Sequence, residues 1–288
     1  MKLSFVIPAY NEELYIGKCI EAILRETKGR TDVEIIVVDN NSTDHTSEAV
    51  AKYPEAKLIH ETRRGANRTR QTGFEASTGE LVAFLDADTV LPHGWTLTAE
   101  RAFAKDEKLV CLTGPFIYYD LPPFIQLLVK LFYGIGWLVY IFNNFILKKT
   151  SMIQGGNYIL RRTALEAVGG HNVNLTFYGD DADLAWRLSK VGEVRFSYRF
   201  TIPSSGRRLA KEGAFTMGLR YGINYFWVAL FKRPFTTVST EVRIAQGGGK
   251  FYAPQNKIKE ATIVVLTIAL LAAILGAVAY LIYWLFTL

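Results

Sequence analysis

Short strand-like runs alternate with helical patterns through the first part of the chain. Five strand candidates end in proline, glycine or polar residues: 3–7, 34–38, 57–60, 81–85 and 109–113. Between the first two, Ile16, Cys19, Ile20 and Ile23 recur at helical spacing, and we expect Asn11 to cap that helix. This alternation predicts an α/β fold: a largely parallel sheet with helices on both faces.

The second half of the chain is less regular. The pattern predicts a strand over 152–160, helices over 162–168 and 181–191, and a strand over 194–197. An aromatic stretch at 210–231 also has a composition compatible with a helix. We assign residues 1–240 to one domain.

Polar residues follow three predicted strands at the point where each strand ends. These segments are Pro8-Ala9-Tyr10-Asn11, Asp39-Asn40-Asn41 and Asp86-Ala87-Asp88. In open α/β sheets, ligands bind beyond the carboxyl ends of the strands. We therefore expect the three segments to form one site.

The C-terminal region has the pattern of a membrane anchor. Residues 262–288 carry no charged side chain, and a helix of about 20 apolar residues spans a bilayer. A basic linker, 241–261, precedes them. The positive-inside rule then predicts a single-pass protein of the cell membrane with its main domain in the cytoplasm.

Composition and charge exclude several classes of protein. Half of the residues are hydrophobic and 21% are charged, which excludes an intrinsically disordered chain. Two cysteines, Cys19 and Cys111, are too few for a disulfide scaffold or a cysteine-built zinc site. The net charge is +6, but no nucleic-acid-binding motif accompanies it, so we expect no nucleic-acid partner.

Acidic residues supply the candidate chemistry. Asp86 and Asp88, just past a buried strand, can hold a divalent cation that bridges a diphosphate. Asp39 can contact a nucleobase or ribose, or it can cap the following turn. Asp180 and Asp181 open a helix, where acids are favoured anyway, but one of them could act as a general base.

Two basic clusters are candidates for phosphate binding. Arg207 and Arg208 could clamp a phosphate, or they could face solvent or a membrane. The second cluster could meet phosphates or acidic lipid head groups and consists of Arg63, Arg64, Arg68 and Arg70.

Five of these motifs, taken in order, resemble the family 2 glycosyltransferases with a GT-A fold. They are Val6–Glu12, Val37–Asp44, Gly79–Asp88, Gly155-Gly156-Asn157 with Arg161-Arg162, and Asp180–Leu184 with Arg187-Leu188. The match covers about the first 210 residues. The resemblance implies a Rossmann-like GT-A domain that transfers a sugar from a nucleotide-sugar with inversion.

The resemblance also implies residue roles. Asp181 takes the place of the general base, next to Asp180, and Asp88 that of the ligand of Mg²⁺ or Mn²⁺. Contacts to the nucleotide-sugar would come from Pro8, Ala9, Tyr10, Glu12, Asp39, Asn41, Arg68, Asp86, Ala87, Gly156, Asn157, Arg207 and Arg208.

Membrane topology and acceptor follow from the same resemblance. If the apolar stretch 124–147 crossed the membrane once, Asp88 and Asp181 could not share a substrate, so we expect an interfacial helix at about 122–148. The Gln-x-x-Arg-Trp motif of processive synthases is absent, which favours a single transfer to a lipid-linked or membrane-proximal hydroxyl. A polyprenyl-phosphate acceptor, a nucleotidyltransferase and a non-catalytic membrane scaffold remain alternatives.

Overall fold

The computed structural model describes residues 1–142, 152–175, 179–213 and 217. Within these ranges the strands are β1 (Leu3–Ala9), β2 (Val33–Asp39), β3 (Ala56–His60), β4 (Leu81–Leu85), β5 (Leu109–Thr113), β6 (Phe116–Tyr118), β7 (Asn157–Arg161), β8 (Glu193–Phe196) and β9 (Ile202–Ser204). The helices are α1 (Ile16–Glu26), α2 (Thr46–Val50), α3 (Ala66–Ala76), α4 (Trp95–Lys105), α5 (Pro123–Phe142), α6 (Arg162–Ala167), α7 (Asp180–Leu188) and α8 (Arg207–Glu212).

A seven-stranded sheet forms the centre of the described structure. Its strand order is β3-β2-β1-β4-β7-β5-β8. The strands β1 to β4 pair in parallel, as do β5 and β8, whereas β7 runs antiparallel to both of its neighbours. The prediction of a mostly parallel sheet is confirmed. The small parallel sheet of β6 and β9 was not predicted.

Side chains alternate along each strand and divide the core in two. Leu3, Phe5 and Ile7 of β1 join a cluster with apolar residues of α1, α2 and α4. Val6 points the other way and joins residues of α3, α6 and α7. Because successive side chains of a strand point to opposite faces, the sheet is covered on both faces, as its apolar strands require.

The first five predicted strands are confirmed, with ends that differ by at most two residues. The prediction that Asn11 caps a helix is wrong, because α1 begins only at Ile16. Asn11 adopts a left-handed φ of 53°, and its Oδ1 accepts a hydrogen bond from the Thr43 backbone N–H at 2.8 Å. Asn11 therefore joins the loop after β1 to the loop after β2.

The predicted strand at 152–160 begins only at Asn157. This side chain is fully buried, and its amide nitrogen donates to the carbonyl oxygens of Gly114 at 2.9 Å and Phe200 at 2.8 Å. Its Oδ1 accepts from Trp95 Nε1 at 3.2 Å. Asn157 thus ties two loops and the start of α4 to the sheet, and its side chain faces the interior, contrary to its expected place among the donor contacts.

The helix α5 occupies the first part of the stretch predicted as interfacial. Within the described residues, the helices do not combine the length and the hydropathy needed to cross a bilayer. The predicted linker at 241–261 and the predicted span at 262–288 lie outside the described residues, as does nearly all of the stretch 210–231.

Candidate active site

One edge of the sheet collects most of the predicted site residues. The strands β1, β2 and β4 end there, and the antiparallel β7 begins there. In the pairing register, Ala9 lies opposite Asp39, and Leu85 lies opposite Asn157. We call this the carboxyl edge. Asp39 and Asp86 lie on it because each is the last residue of its strand or the residue directly after it.

A buried arginine joins two acids at the carboxyl edge. Arg70 lies on α3, and its Nη2 is 3.3 Å from Asp86 Oδ1 while its Nη1 is 3.2 Å from Asp180 Oδ2. Its side chain is 8% exposed. Arg68, rather than Arg70, was the predicted contact to the nucleotide-sugar. Asn67, Arg70 and Phe74 are all buried and share one helical face, and this spacing was the signal that could have identified Arg70.

Two glycines bring the carboxyl edge against α7. The Gly155 N–H donates to Asp181 Oδ2 at 3.1 Å, and a Cβ at Gly155 would lie 2.7 Å from the same oxygen. Gly156 has a φ of 80°, and a Cβ there would lie 2.2 Å from the carboxyl carbon of Asp86. The turn before β7 therefore fits between Asp86 and Asp181 only without side chains.

The two acids at the start of α7 have different partners. Asp180 pairs with Arg70, whereas Asp181 accepts the Gly155 N–H. Burial raises the pKa of Asp181 well above its usual range, and the neighbouring Asp180 raises it further, while Arg70 acts in the opposite direction. Asp180 has a raised pKa for the same first reason, burial. Asp180 thus has a guanidinium in direct contact, whereas the contact of Asp181 is a backbone N–H.

Asp88 lies beside a second shared arginine. Arg207 Nη2 is 3.0 Å from Asp88 Oδ2 and 2.5 Å from Glu12 Oε1. Ser204 Oγ donates to Asp88 Oδ1 at 3.3 Å. Burial raises the pKa of Asp88 to about 7, and the Arg207 guanidinium opposes that shift. The predicted site residues Glu12, Asp88 and Arg207 are therefore in direct contact.

A cleft of about 370 Å³ opens beside Asp39 at the ends of β2 and β3. Its lining is polar and consists of Asp39, Asn41, Ser42, Asp44, Ser47, Glu48, His60, Glu61 and Thr62. Asp39 accepts from the Ser42 N–H at 3.1 Å and from Ser47 Oγ at 2.8 Å. Both interpretations of Asp39 thus have support: it stabilises the turn before α2, and it lines an open cleft.

Tyr10 contacts the loop that follows β3, part of which lines the cleft. The Arg64 guanidinium carbon lies 4.0 Å from the centre of the Tyr10 ring. Asn40 holds that loop, because its Nδ2 donates to the carbonyl oxygens of Glu61 and Arg63, both at 2.8 Å. Asn40 belongs to one of the three predicted site segments, but no ligand contact was predicted for it, and its side chain shapes the loop.

Other predicted contact residues lie differently. Ala9 and Ala87 are buried, and both side chains belong to the core, so only their backbones can contact a ligand. Pro8 lies in β1 and is partly buried. Arg208 pairs with Glu212 along α8 at 3.3 Å. Arg68 forms no ion pair with any described residue, unlike Arg70 two positions later.

The carboxyl edge has the donor atoms for a hard cation. Asp86 and Asp88 offer carboxylate oxygens, which are the ligands that Mg²⁺ and Mn²⁺ prefer. In the described part of the chain, no three histidine, cysteine, aspartate or glutamate side chains converge as a metal cage. A cation held here would therefore take most of its ligands from water or from a bound phosphate.

Solved structures share this fold at low sequence identity. The mannosyltransferase PcManGT of Pyrobaculum calidifontis, in complex with GDP-Man and Mn²⁺, has a TM-score of 0.59 and 20% identity, covering 97% of this chain and 80% of its own. TarS 1-349 of Staphylococcus aureus has a TM-score of 0.54 and 18% identity, covering 81% and 73%. Glucosyl-3-phosphoglycerate synthase of Mycobacterium tuberculosis, in complex with Mn²⁺, UDP and phosphoglyceric acid, has a TM-score of 0.54 and 22% identity, covering 78% and 77%.

The strand order of the main sheet and the similarity to these structures assign the chain to the α/β proteins with the GT-A-like fold of glycosyltransferases. The model of the family "Glycosyl transferase family 2" matches residues 4–169, which is more than half of the chain. The chain belongs to that family.

Named relatives match this chain over only part of their own length. The glycosyltransferase AglE of Haloferax volcanii is 37% identical over 98 residues, which cover 32% of this chain and 32% of AglE. The probable glycosyltransferase YdaM of Bacillus subtilis is 27% identical over 213 residues, which cover 68% of this chain and 48% of YdaM. The match thus spans about a third of the length of AglE and about half of the length of YdaM.

The close approach of Gly156 to Asp86 can be tested by substitution with alanine, with Gly94 as the matched control. Gly94 has nearly the same φ, 79°, but a Cβ there meets nothing within 4 Å. We expect Gly94→Ala to cost about 1–2 kcal/mol for the left-handed backbone alone. Gly156→Ala should cost at least about 1 kcal/mol more, because Asp86 must leave Arg70. Urea unfolding of both variants measures the difference, and equal costs would contradict the close approach.

Proposed function

We propose that the chain transfers a sugar from a nucleotide diphosphate sugar to an acceptor hydroxyl, with inversion at the anomeric carbon and with a divalent cation. The observation that carries the proposal is the position of Asp181. This buried acid, with a raised pKa, is held by the Gly155 N–H beside Asp86 at the carboxyl edge. Family membership and the donor complexes of proteins with this fold support it.

The polar cleft beside Asp39 is the proposed nucleoside site. Asp39 and Asn41 line it, and their oxygens can accept hydrogen bonds from ribose hydroxyls or a base N–H. Tyr10, with Arg64 against its ring, stands at the neighbouring loop and offers an aromatic face. The diphosphate would then extend along the carboxyl edge toward Asp88.

The acids of the carboxyl edge fit a divalent cation bound together with the donor. Asp88 would hold Mg²⁺ or Mn²⁺, with Asp86 nearby and the diphosphate oxygens completing the coordination. The cation supplies charge that stabilises the departing diphosphate. Arg70 keeps Asp86 and Asp180 in place around the sugar.

Asp181 is the proposed general base. The acceptor hydroxyl oxygen forms the new bond to the anomeric carbon while the bond from that carbon to the diphosphate oxygen breaks. The hydroxyl proton passes to Asp181, and the bonding electron pair leaves with the nucleoside diphosphate. Attack opposite the leaving group inverts the anomeric carbon.

Asp181→Asn tests this role, with Asp183→Asn as the matched control. Asp183 lies on the same helix and pairs with Arg187 at 2.8 Å instead of facing the carboxyl edge. We expect kcat to fall on the order of 10²–10⁴-fold for Asp181→Asn and to stay within a few-fold for Asp183→Asn. The assay follows nucleoside diphosphate release, using the donor that a thermal-shift screen of UDP, GDP, CDP and dTDP with Mn²⁺ selects.

Each alternative predicts a different result. A polyprenyl-phosphate acceptor is already anionic and needs little base assistance, so Asp181→Asn would retain much of its activity. A non-catalytic scaffold would show no metal-dependent shift with any nucleotide. Either outcome would contradict transfer to a hydroxyl.

The raised pKa of Asp181 predicts a pH dependence. A general base must be ionised to accept a proton, so kcat/KM should fall as the pH decreases. The midpoint of this acidic limb of the pH profile should lie above the ordinary pKa of an aspartate, which is about 4. Asp180→Asn removes a negative charge that raises the pKa of Asp181, so the limb should move to lower pH. A limb that stays in place or moves upward would contradict Asp181 as the titrating group, and Asp183→Asn again serves as control.

The acceptor is proposed to lie at a membrane, next to α5. Phe124, Leu127 and Leu131 follow one face of α5, and each is about half exposed. On the inner side, Ile125 is buried, and Tyr133 donates from its hydroxyl to Gln154 Oε1 at 2.9 Å. Gln154 directly precedes the glycine turn of the site. Tyr133 and Gln154 therefore link α5 to the glycine turn that holds Asp181, and the charge-free residues 262–288 support a membrane location.

Single cysteine labels test this contact, because the native Cys19 and Cys111 are buried. In the full chain reconstituted in vesicles, a fluorophore on Leu127→Cys should be quenched by brominated lipids. A fluorophore on Leu97→Cys should not, although Leu97 on α4 is similarly exposed at 47%. Equal quenching at the two positions, or none at Leu127→Cys, would contradict the proposed contact.

A further inference from the structure

Arg207 is the cation that neutralises Asp88 in this structure. Its Nη2 contacts Asp88 at 3.0 Å and Glu12 at 2.5 Å, and the three side chains are 9%, 12% and 5% exposed. The guanidinium carbon also lies 4.6 Å from the centre of the Tyr15 ring. Two carboxylates and one aromatic ring thus hold the guanidinium in a position with little exposure to solvent.

The backbone next to Arg207 is fixed as well. Ser205 Oγ donates to Asp120 Oδ2 at 2.6 Å, and the Gly206 N–H donates to Asp120 Oδ1 at 2.5 Å. Tyr119, beside Asp120, donates from its hydroxyl to the Asp88 carbonyl oxygen at 3.3 Å. The start of α8 is therefore attached to the segment after β6, and Arg207 cannot drift far from Asp88 without breaking these contacts.

A divalent cation and the guanidinium would need the same carboxylate. A cation that coordinates Asp88 comes within a few ångströms of Arg207, and like charges at that distance repel strongly where water is scarce. Asp86 cannot offset this alone, because it already pairs with Arg70. A bound diphosphate adds several negative charges. These charges offset the repulsion between the divalent cation and the Arg207 guanidinium, so that both can stay near Asp88.

We propose that Arg207 competes with the divalent cation for Asp88, so that the metal binds tightly only together with a nucleoside diphosphate. This inference rests on the metal-dependent transfer proposed above. Arg207 would then set the order of binding. Its guanidinium pairs with Asp88, the proposed metal ligand, until the nucleotide-sugar donor binds.

Mn²⁺ affinity without any nucleotide tests the proposal. The free Mn²⁺ signal in electron paramagnetic resonance gives the dissociation constant for the full chain in detergent. We expect Arg207→Gln to tighten nucleotide-free Mn²⁺ binding at least about tenfold, because Asp88 and Glu12 lose their counter-charge. Adding UDP or GDP should strengthen Mn²⁺ binding much more in the wild type than in this variant.

Three variants control the measurement. Arg208→Gln, the neighbouring arginine that pairs with Glu212, should bind Mn²⁺ like the wild type. Arg207→Lys keeps the charge and should keep nucleotide-free binding weak, which also covers the case that Arg207→Gln does not fold. Asp88→Asn should abolish the tight binding that Arg207→Gln creates.

The outcomes separate this inference from the proposed function. Equal nucleotide-free affinities in the wild type and Arg207→Gln would overturn the role of Arg207 and leave the transfer reaction standing. Weak nucleotide-free binding in Arg207→Lys and strong coupling to nucleotide in the wild type would support the proposal. Absence of Mn²⁺ binding in every form, even with nucleotide, would overturn both.

Discussion

The structure of the site depends on one buried guanidinium. Arg70 on α3 contacts Asp86 at the end of β4 and Asp180 at the start of α7, which lie more than ninety positions apart in the chain. Asp180 is only 11% exposed and Asp86 37% exposed, and a carboxylate removed from water in this way favours protonation unless it has a cationic partner. Arg70 pairs directly with Asp86 and Asp180, whereas Asp181 accepts the Gly155 N–H, so the guanidinium separates the two paired acids from the proposed base.

The same arrangement is repeated around Arg207, which also lies between two acids. The two sets differ in what they join. Arg70 connects elements of the main sheet and its covering helices, whereas Arg207 connects the sheet edge to the segment that follows β9. The second set involves the short helix α8, whose start is fixed by the hydrogen bonds of Asp120.

Sequence patterns predicted most of the sheet because its strands are buried on both faces and read as apolar runs. They also predicted which strand ends bring polar residues together at one edge of the sheet. They failed where the decisive contact joins distant segments. The family resemblance implied a donor contact for Asn157, but its partners are backbone groups of Gly114 and Phe200 and the side chain of Trp95. Arg70 was passed over for Arg68, because composition locates a basic cluster but only the helical face decides which member turns inward.

The position of β7 has a consequence for how the chain acquires its site during synthesis. This strand fills the gap between β4 and β5, although about forty residues separate it from β5 in the sequence. Until residues 157–161 have been made, one edge of β4 has no partner strand, and the loop closure that supplies it is slow because it joins distant segments. The cleft at β2 and β3, which is the proposed nucleoside site, can thus be complete well before Asp181, the proposed base, has been made. A ribosome-bound fragment is then expected to bind a nucleoside before it can react.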